Sequence, residues 1–112
     1  TQIAFVINDR LADGTDISWL WDVDFEQLQQ MQDNVSYFYA SGIRAEDMAV
    51  RLKYAGIHSD KIQIEKDYET LLNKALDATL EGQNLYILPT YTAMLEVRSL
   101  LEKKFGLKEF WK

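Results

Sequence analysis

Four short apolar runs, separated by stretches of helical length, constrain this chain more than any other feature. Residues 3–7 (Ile-Ala-Phe-Val-Ile) are continuously apolar, the pattern of a strand covered on both faces. Residues 35–40 (Val-Ser-Tyr-Phe-Tyr-Ala) are rich in the aromatic and β-branched side chains that suit a pleated, buried surface. Residues 62–65 and 85–88 supply the third and fourth runs, the last ended by Pro89. Between them the period changes. Ala45, Met48, Ala49 and Leu52 share one helical face, with Glu46, Asp47, Arg51 and Lys53 expected outside it. Tyr68, Leu71, Leu72, Ala75, Leu76 and Leu80 stripe a second helix, and Met94, Val97, Leu100 and Leu101 a third. Gly56, Gly82 and Gly106 stand where these helices should stop. Links of helical length between buried strands enforce parallel pairing and right-handed crossovers. The expected fold class is α/β, a Rossmann-like three-layer sandwich with a mostly parallel sheet.

Two stretches are less regular. Residues 8–16 form a polar loop with a turn signal at Asp13-Gly14. Residues 17–21 are apolar but short, which suits either a strand or a buried loop. From Asp24 onward, Phe25, Leu28 and Met31 recur every three residues, predicting a short helix with Asp24 as its N-cap. The 112 residues suffice for one domain, expected to span 1–112. The chain opens on a strand-like run without a start methionine, which suggests a piece of a longer protein.

Composition excludes several kinds of chemistry. The formal charge of −6 repels phosphate backbones, so nucleic acid is not an expected partner. Without cysteine there are no disulfides, thiolate metal sites or cysteine nucleophiles in this chain, and His58 is its only histidine. The five glycines, at 14, 42, 56, 82 and 106, fit neither a dinucleotide fingerprint nor a phosphate-binding P-loop. No metal site is expected, and the apolar runs fall far short of the ~20 residues that span a bilayer.

Ligands of parallel sheets sit beyond the carboxyl ends of the strands, where two segments carry candidate chemistry. In the first, Ser41, Gly42 and Arg44 join a buried strand to a helix start, whose N–H groups and arginine fork can hold an anion. An ordinary strand-to-helix turn with a solvated arginine fits the same residues. The second is Trp19-Leu-Trp-Asp-Val-Asp-Phe25. Asp24 has a structural task as N-cap; Asp22 has none. Either Asp22 is an ordinary surface residue, or its carboxylate orients a histidine as the third member of a nucleophilic triad whose cysteine and histidine come from another protein. The acidic pairs Glu46-Asp47 and Asp67/Glu69 fall in first helical turns, where they meet the helix dipole favourably.

Three stretches also carry a family resemblance: residues 13–26, residues 41–48 together with Arg51-Leu-Lys-Tyr-Ala-Gly56, and Leu88-Pro-Thr-Tyr-Thr-Ala93. Taken in order, they resemble the C-terminal domain of the MurT family, the ligase subunits of lipid II isoglutaminyl synthase. The resemblance implies a Mur ligase C-terminal-domain-like fold and a GatD-like glutaminase as partner. It implies a complex that uses ATP and magnesium, bound mainly outside this domain, to activate the D-glutamate α-carboxyl of lipid II. Ammonia released from glutamine then amidates that carboxyl. The phosphate loop and any zinc-binding cysteines belong to the family's central domain, so the isolated domain is expected to be inactive, with no cofactor of its own. An aspartate of this domain is expected to complete the partner's triad: Asp22, or alternatively Asp24. Ser41-Gly-Ile-Arg44 is similar in position to the Asn-Pro-Arg turn of Mur ligases, which implies substrate binding by Arg44, although Asn-Pro is absent. The implied location is cytoplasmic, at the inner face of the membrane. Two other readings fit the residues: a substrate-binding domain of another Mur or folate-type ligase, and a module binding a small anion at Ser41 to Glu46.

Overall fold

Strand β1, Gln2–Val6, is buried along its whole length, as its unbroken apolar run predicts. It lies inside a four-stranded sheet with the order β3-β2-β1-β4. The remaining strands are β2 (Tyr37–Ser41), β3 (Ile62–Ile64) and β4 (Leu85–Pro89). All three pairings are parallel, with Ala4 facing Tyr39 on one side and Ile87 on the other. The computed structural model describes residues 1–9, 16–79 and 82–105; the Asp13-Gly14 turn, Leu80, Gly106, Phe110 and Trp111 lie outside them.

Helix α1 (Ala45–Tyr54) covers one face, and α2 (Tyr68–Ala78) and α3 (Tyr91–Phe105) cover the other. Alternate residues of β1 point to opposite layers. Ile3, Phe5 and Ile7 pack with Leu20, Phe38, Met48 and Leu52. Ala4 and Val6 pack with Tyr39, Leu71, Leu72, Ala75, Ala93 and Val97. The α/β, Rossmann-like expectation holds. Because β2 and β3 lie to one side of β1 and β4 to the other, the strand order reverses at β1. That reversal opens a crevice at the carboxyl end of the sheet.

The link from β1 to β2 departs from expectation. In place of a strand or a buried loop over 17–21 stands a 3-10 helix, Ser18–Trp21, and the short helix expected after Asp24 is also of the 3-10 kind, Phe25–Asn34. Both neighbour positions of β1 are already filled by β2 and β4, so an alternating run there has no place beside it in the sheet. The recurrence every three residues in Phe25, Leu28 and Met31 is the 3-10 period itself. Phe25 and Leu28 pack on the core, whereas Met31 is exposed. Gln32 is buried instead and ties the segment down, donating from Nε2 to the Gly56 carbonyl at 3.1 Å while its Oε1 accepts the His58 N–H at 3.0 Å.

Candidate functional site

The segment from Ser18 to Glu26 is anchored by one aliphatic side chain and one charged one. Leu20 is buried in the layer beneath α1. The backbone then tightens, with the N–H groups of Asp22 and Val23 both donating to the Trp19 carbonyl, at 3.0 and 3.3 Å. Upstream, the Ser18 N–H donates to Asp16 Oδ1 at 2.9 Å and holds that carboxyl below its ordinary pKa.

Arg51 enters from α1. It was expected on the solvent side of the helix, but its side chain is only 3% exposed. Its position explains why: residue 51 is three places beyond Met48 and shares that residue's inward face. Nε donates to the Leu20 carbonyl at 2.6 Å and Nη2 to the Val23 carbonyl at 2.7 Å. Nη1 and Nη2 reach Glu26 Oε2 and Oε1 at 3.0 and 2.8 Å. The guanidinium carbon lies 5.2 Å from the Trp21 ring centre and 5.1 Å from that of Phe25, within cation–π range. A buried cation requires such compensation. The hydrogen bonds from Arg51 hold the Glu26 carboxyl down to a pKa of about 2.

The two aspartates of this segment differ. Asp24 occupies the N-cap position of the second 3-10 helix, but its side chain accepts no backbone N–H. The capping task assigned to it is therefore corrected: Asp24 Oδ2 accepts from the Gln27 side-chain amide at 3.0 Å instead. Its backbone, at φ −80° and ψ 72°, is not in the extended conformation that aims a cap side chain at the helix. Asp22 follows the first 3-10 helix, not a strand. It is exposed, and its carboxylate has no hydrogen-bond partner among the described residues. Around it Trp21 is 55% exposed, and Trp19 and Val23 are also open to solvent. Trp19 and Phe25 join Phe5, Ile7, Leu88 and Pro89 in lining an apolar cleft that reaches β4.

The second candidate segment lies at the crevice and turns its donors inward. The N–H groups of Ile43, Arg44 and Ala45 donate to Asn8 Oδ1 at 3.0 Å, the Ile7 carbonyl at 2.9 Å and the Gly42 carbonyl at 3.2 Å. Ser41 is buried, and its hydroxyl donates to the Lys66 carbonyl. Gly42 has φ +90°, and a Cβ there would stand 2.5 Å from the Ile7 carbonyl oxygen, so close approach of backbones explains this glycine. Arg44 Nε donates to Asp9 at 2.8 Å and Nη1 to Asp47 at 3.4 Å, and the bond to Asp9 raises the guanidinium pKa. The hydrogen-bonding capacity expected to meet an anion at Ser41, Gly42 and Arg44 is thus largely spent within the fold.

Asn8, at the start of the polar stretch 8–16, is the hub of this region. It is 1% exposed. Its Oδ1 also accepts from the Tyr68 hydroxyl at 2.9 Å, and its Nδ2 donates to Thr92 Oγ1 at 3.1 Å. Its backbone N–H donates to Thr90 Oγ1 at 3.0 Å. One side chain therefore joins β1 to the loop after β2 and to α2 and α3. The only signal for it was an amide at the end of a buried strand. His58 is exposed. Among the described residues, no three His, Cys, Asp or Glu side chains are grouped as metal ligands would be. No helix among them is long and apolar enough to cross a membrane.

Comparison with known proteins decides the family. The model of the MurT ligase C-terminal family matches residues 1–94. The chain belongs to this family. It is 39% identical over 106 residues to the lipid II isoglutaminyl synthase (glutamine-hydrolyzing) subunit MurT of Streptococcus pneumoniae, covering 92% of this chain and 22% of that protein. It is 33% identical over 100 residues to the subunit of the same name from Staphylococcus aureus, covering 88% of this chain and 21% of the relative. The chain thus spans about a fifth of the length of these curated relatives. Membership of the MurT family displaces the reading as a domain of another Mur or folate-type ligase.

Proposed function

We propose that this MurT-type domain forms part of a lipid II isoglutaminyl synthase and presents the Asp22 carboxylate to the active site of a glutaminase subunit. One observation carries the reading: an exposed carboxylate without a partner among the described residues stands, beside exposed tryptophans, on a segment that Arg51 anchors. An aspartate that accepts from a histidine ring N–H fixes the tautomer and stabilises the imidazolium formed when the histidine takes a proton from a nucleophile. In a GatD-like glutaminase the nucleophile would be a cysteine thiol, which attacks the glutamine carboxamide and releases ammonia. The ligase subunit would pass that ammonia to the activated D-glutamate α-carboxyl of lipid II, in the cytoplasm at the inner face of the membrane. Asp22 is preferred to Asp24 because Asp24 already accepts from Gln27, and turning to a histidine would cost it that bond.

ATP with magnesium would supply the activation of the carboxyl. The residues present here do not fit a triphosphate cradle: the N–H groups after Gly42 are internally bonded, and the backbone at Gly42 abuts Ile7 and Asn8. Nucleotide binding is therefore assigned mainly to the rest of the ligase subunit.

The test is glutamine hydrolysis by the full-length ligase subunit in complex with its glutaminase partner. Asp22→Asn should lower kcat by two orders of magnitude or more, as loss of the orienting carboxylate does in such triads, and Asp24→Asn should have a lesser effect. Wild-type rates in both variants would refute the reading.

A further inference from the structure

The Arg51 guanidinium touches five of the seven residues from 20 to 26: the carbonyls of Leu20 and Val23, the carboxylate of Glu26, and the rings of Trp21 and Phe25. The two that it does not hold are Asp22 and Asp24. Both aspartates are therefore bracketed by fixed points on either side, and their carboxylates remain outside the clamp. We propose that Arg51 is a positioning residue for glutamine hydrolysis, holding the 20–26 segment in the one conformation that aims the donated carboxylate at the partner's histidine. This inference rests on the functional reading above and deepens it.

Three features favour a positioning role over simple core filling. A leucine or methionine at position 51 would fill the space beneath α1 without desolvating a charge, a replacement that is often neutral or stabilising in other proteins. The guanidinium instead spends four N–H donors on one short segment of chain, two of them on the backbone carbonyls of Leu20 and Val23. Its planar fork also fixes direction as well as distance. A lysine, with a compact ammonium and three donors, cannot reproduce the bidentate bond to Glu26 together with both carbonyl bonds. Glu26 is the outer half of the clamp. Its side chain is 52% exposed, so it can be altered without opening the core.

The experiment uses the full-length subunit at saturating glutaminase partner, with Arg51→Lys and Glu26→Gln beside Asp22→Asn and Asp24→Asn. Two nitrogen sources are compared, glutamine and ammonia supplied directly, and the melting temperature of each variant is recorded. Arg51→Lys should lower kcat for glutamine hydrolysis about tenfold or more, the scale expected of a displaced catalytic group. KM for glutamine should stay within twofold, and so should amidation from free ammonia. Glu26→Gln should show the same split to a smaller degree. Two results overturn the inference: both variants hydrolyse glutamine within twofold of wild type, or glutamine- and ammonia-dependent amidation fall in parallel, as general unfolding would produce. Should Arg51→Lys fail to fold, Glu26→Gln decides alone by the same criteria. Loss of activity in Asp22→Asn with normal Arg51 and Glu26 variants would remove this inference and leave its parent standing. Normal rates in both aspartate variants would remove the parent.

Discussion

Arg51 and Glu26 form a bidentate pair, at 2.8 and 3.0 Å, in which the cation is sealed from solvent and the anion stands half in water. The asymmetry sets a pH signature. The hydrogen bonds from Arg51 lower the Glu26 pKa from 4.5 to about 2 in the folded protein. A carboxyl depressed by folding contributes stability that is fully present above its unfolded pKa and lost as pH falls through its folded pKa. The contribution of Glu26 is thus intact above about pH 5 and gone by about pH 2. Asp16 and Asp67 are depressed too, by bonds from Ser18 and Thr70 respectively, so acid will weaken the wild type through several groups. The difference between wild type and Glu26→Gln isolates this one: it should be largest near neutrality and vanish toward pH 2 in thermal melts. A difference that persists unchanged at pH 2 would contradict the pairing.

Asn8 supports a second prediction, on stability alone. Truncation to alanine leaves the Ile43 N–H and the Tyr68 hydroxyl without the acceptor that they share. Both bonds are only partly buried, so each loss costs about 0.5–1.5 kcal/mol, the net contribution of an ordinary hydrogen bond. Asn8→Ala should therefore lose ~1–3 kcal/mol in urea unfolding, with an unchanged denaturant slope. A loss below about 0.5 kcal/mol, the range of ordinary surface changes, would show that water or neighbouring groups replace the hub.

Glycines 42 and 82 should respond differently to alanine although both have positive φ, +90° and +83°. At Gly42 the new Cβ would meet the Ile7 carbonyl oxygen at 2.5 Å and Asn8 Oδ1 at 2.9 Å, whereas at Gly82 nothing among the described residues lies within 4 Å. Gly82→Ala should cost only the left-handed backbone penalty, roughly 1–2 kcal/mol. Gly42→Ala adds a clash with backbone that cannot swing aside, and should cost at least ~2 kcal/mol more. Equal melting temperatures for the two variants would contradict the close approach.

These contrasts show which parts of the molecule sequence alone reveals. Ile3 to Ile7 and the stripe Ala45, Met48, Ala49 and Leu52 are legible because burial of whole apolar faces leaves a periodic trace. Their parallel arrangement follows from the length of the connections. The short apolar run of residues 17–21 suits a strand as well as a buried loop, and nothing local reveals that β1 already has neighbours on both sides. Arg51 and Asn8 escaped for a related reason. Their partners lie far along the chain: Leu20 is 31 positions from Arg51, and Tyr68 is 60 from Asn8. Polar burial therefore depends on tertiary pairings that hydropathy does not record. A trace existed for Arg51, since its place three residues after Met48 put a charge on an otherwise apolar face.

Arg44 offers the last prediction, which separates its site from the Asp22 segment. Its Nε and Nη1 are engaged with Asp9 and Asp47, yet the side chain is 39% exposed and Nη2 makes no bond to a described residue. An anionic substrate group can thus be met by the outer edge of the fork while the inner edge keeps Asp9. A charge-assisted hydrogen bond of that kind contributes about 1.5–3 kcal/mol. Arg44→Ala in the full-length complex should accordingly raise KM for the carboxylate-bearing substrate by about one to two orders of magnitude. Glutamine hydrolysis should stay within twofold, because the 20–26 segment is held by Arg51 and not by Arg44. Stability should change by less than about 1 kcal/mol, since a partly exposed ion pair contributes little. Steady-state amidation with ammonia as the nitrogen source measures KM apart from the glutaminase. An unchanged KM would confine Arg44 to tying α1 to the end of β1 through Asp9. A parallel loss of glutamine hydrolysis would instead show that the two ends of α1 act as one unit.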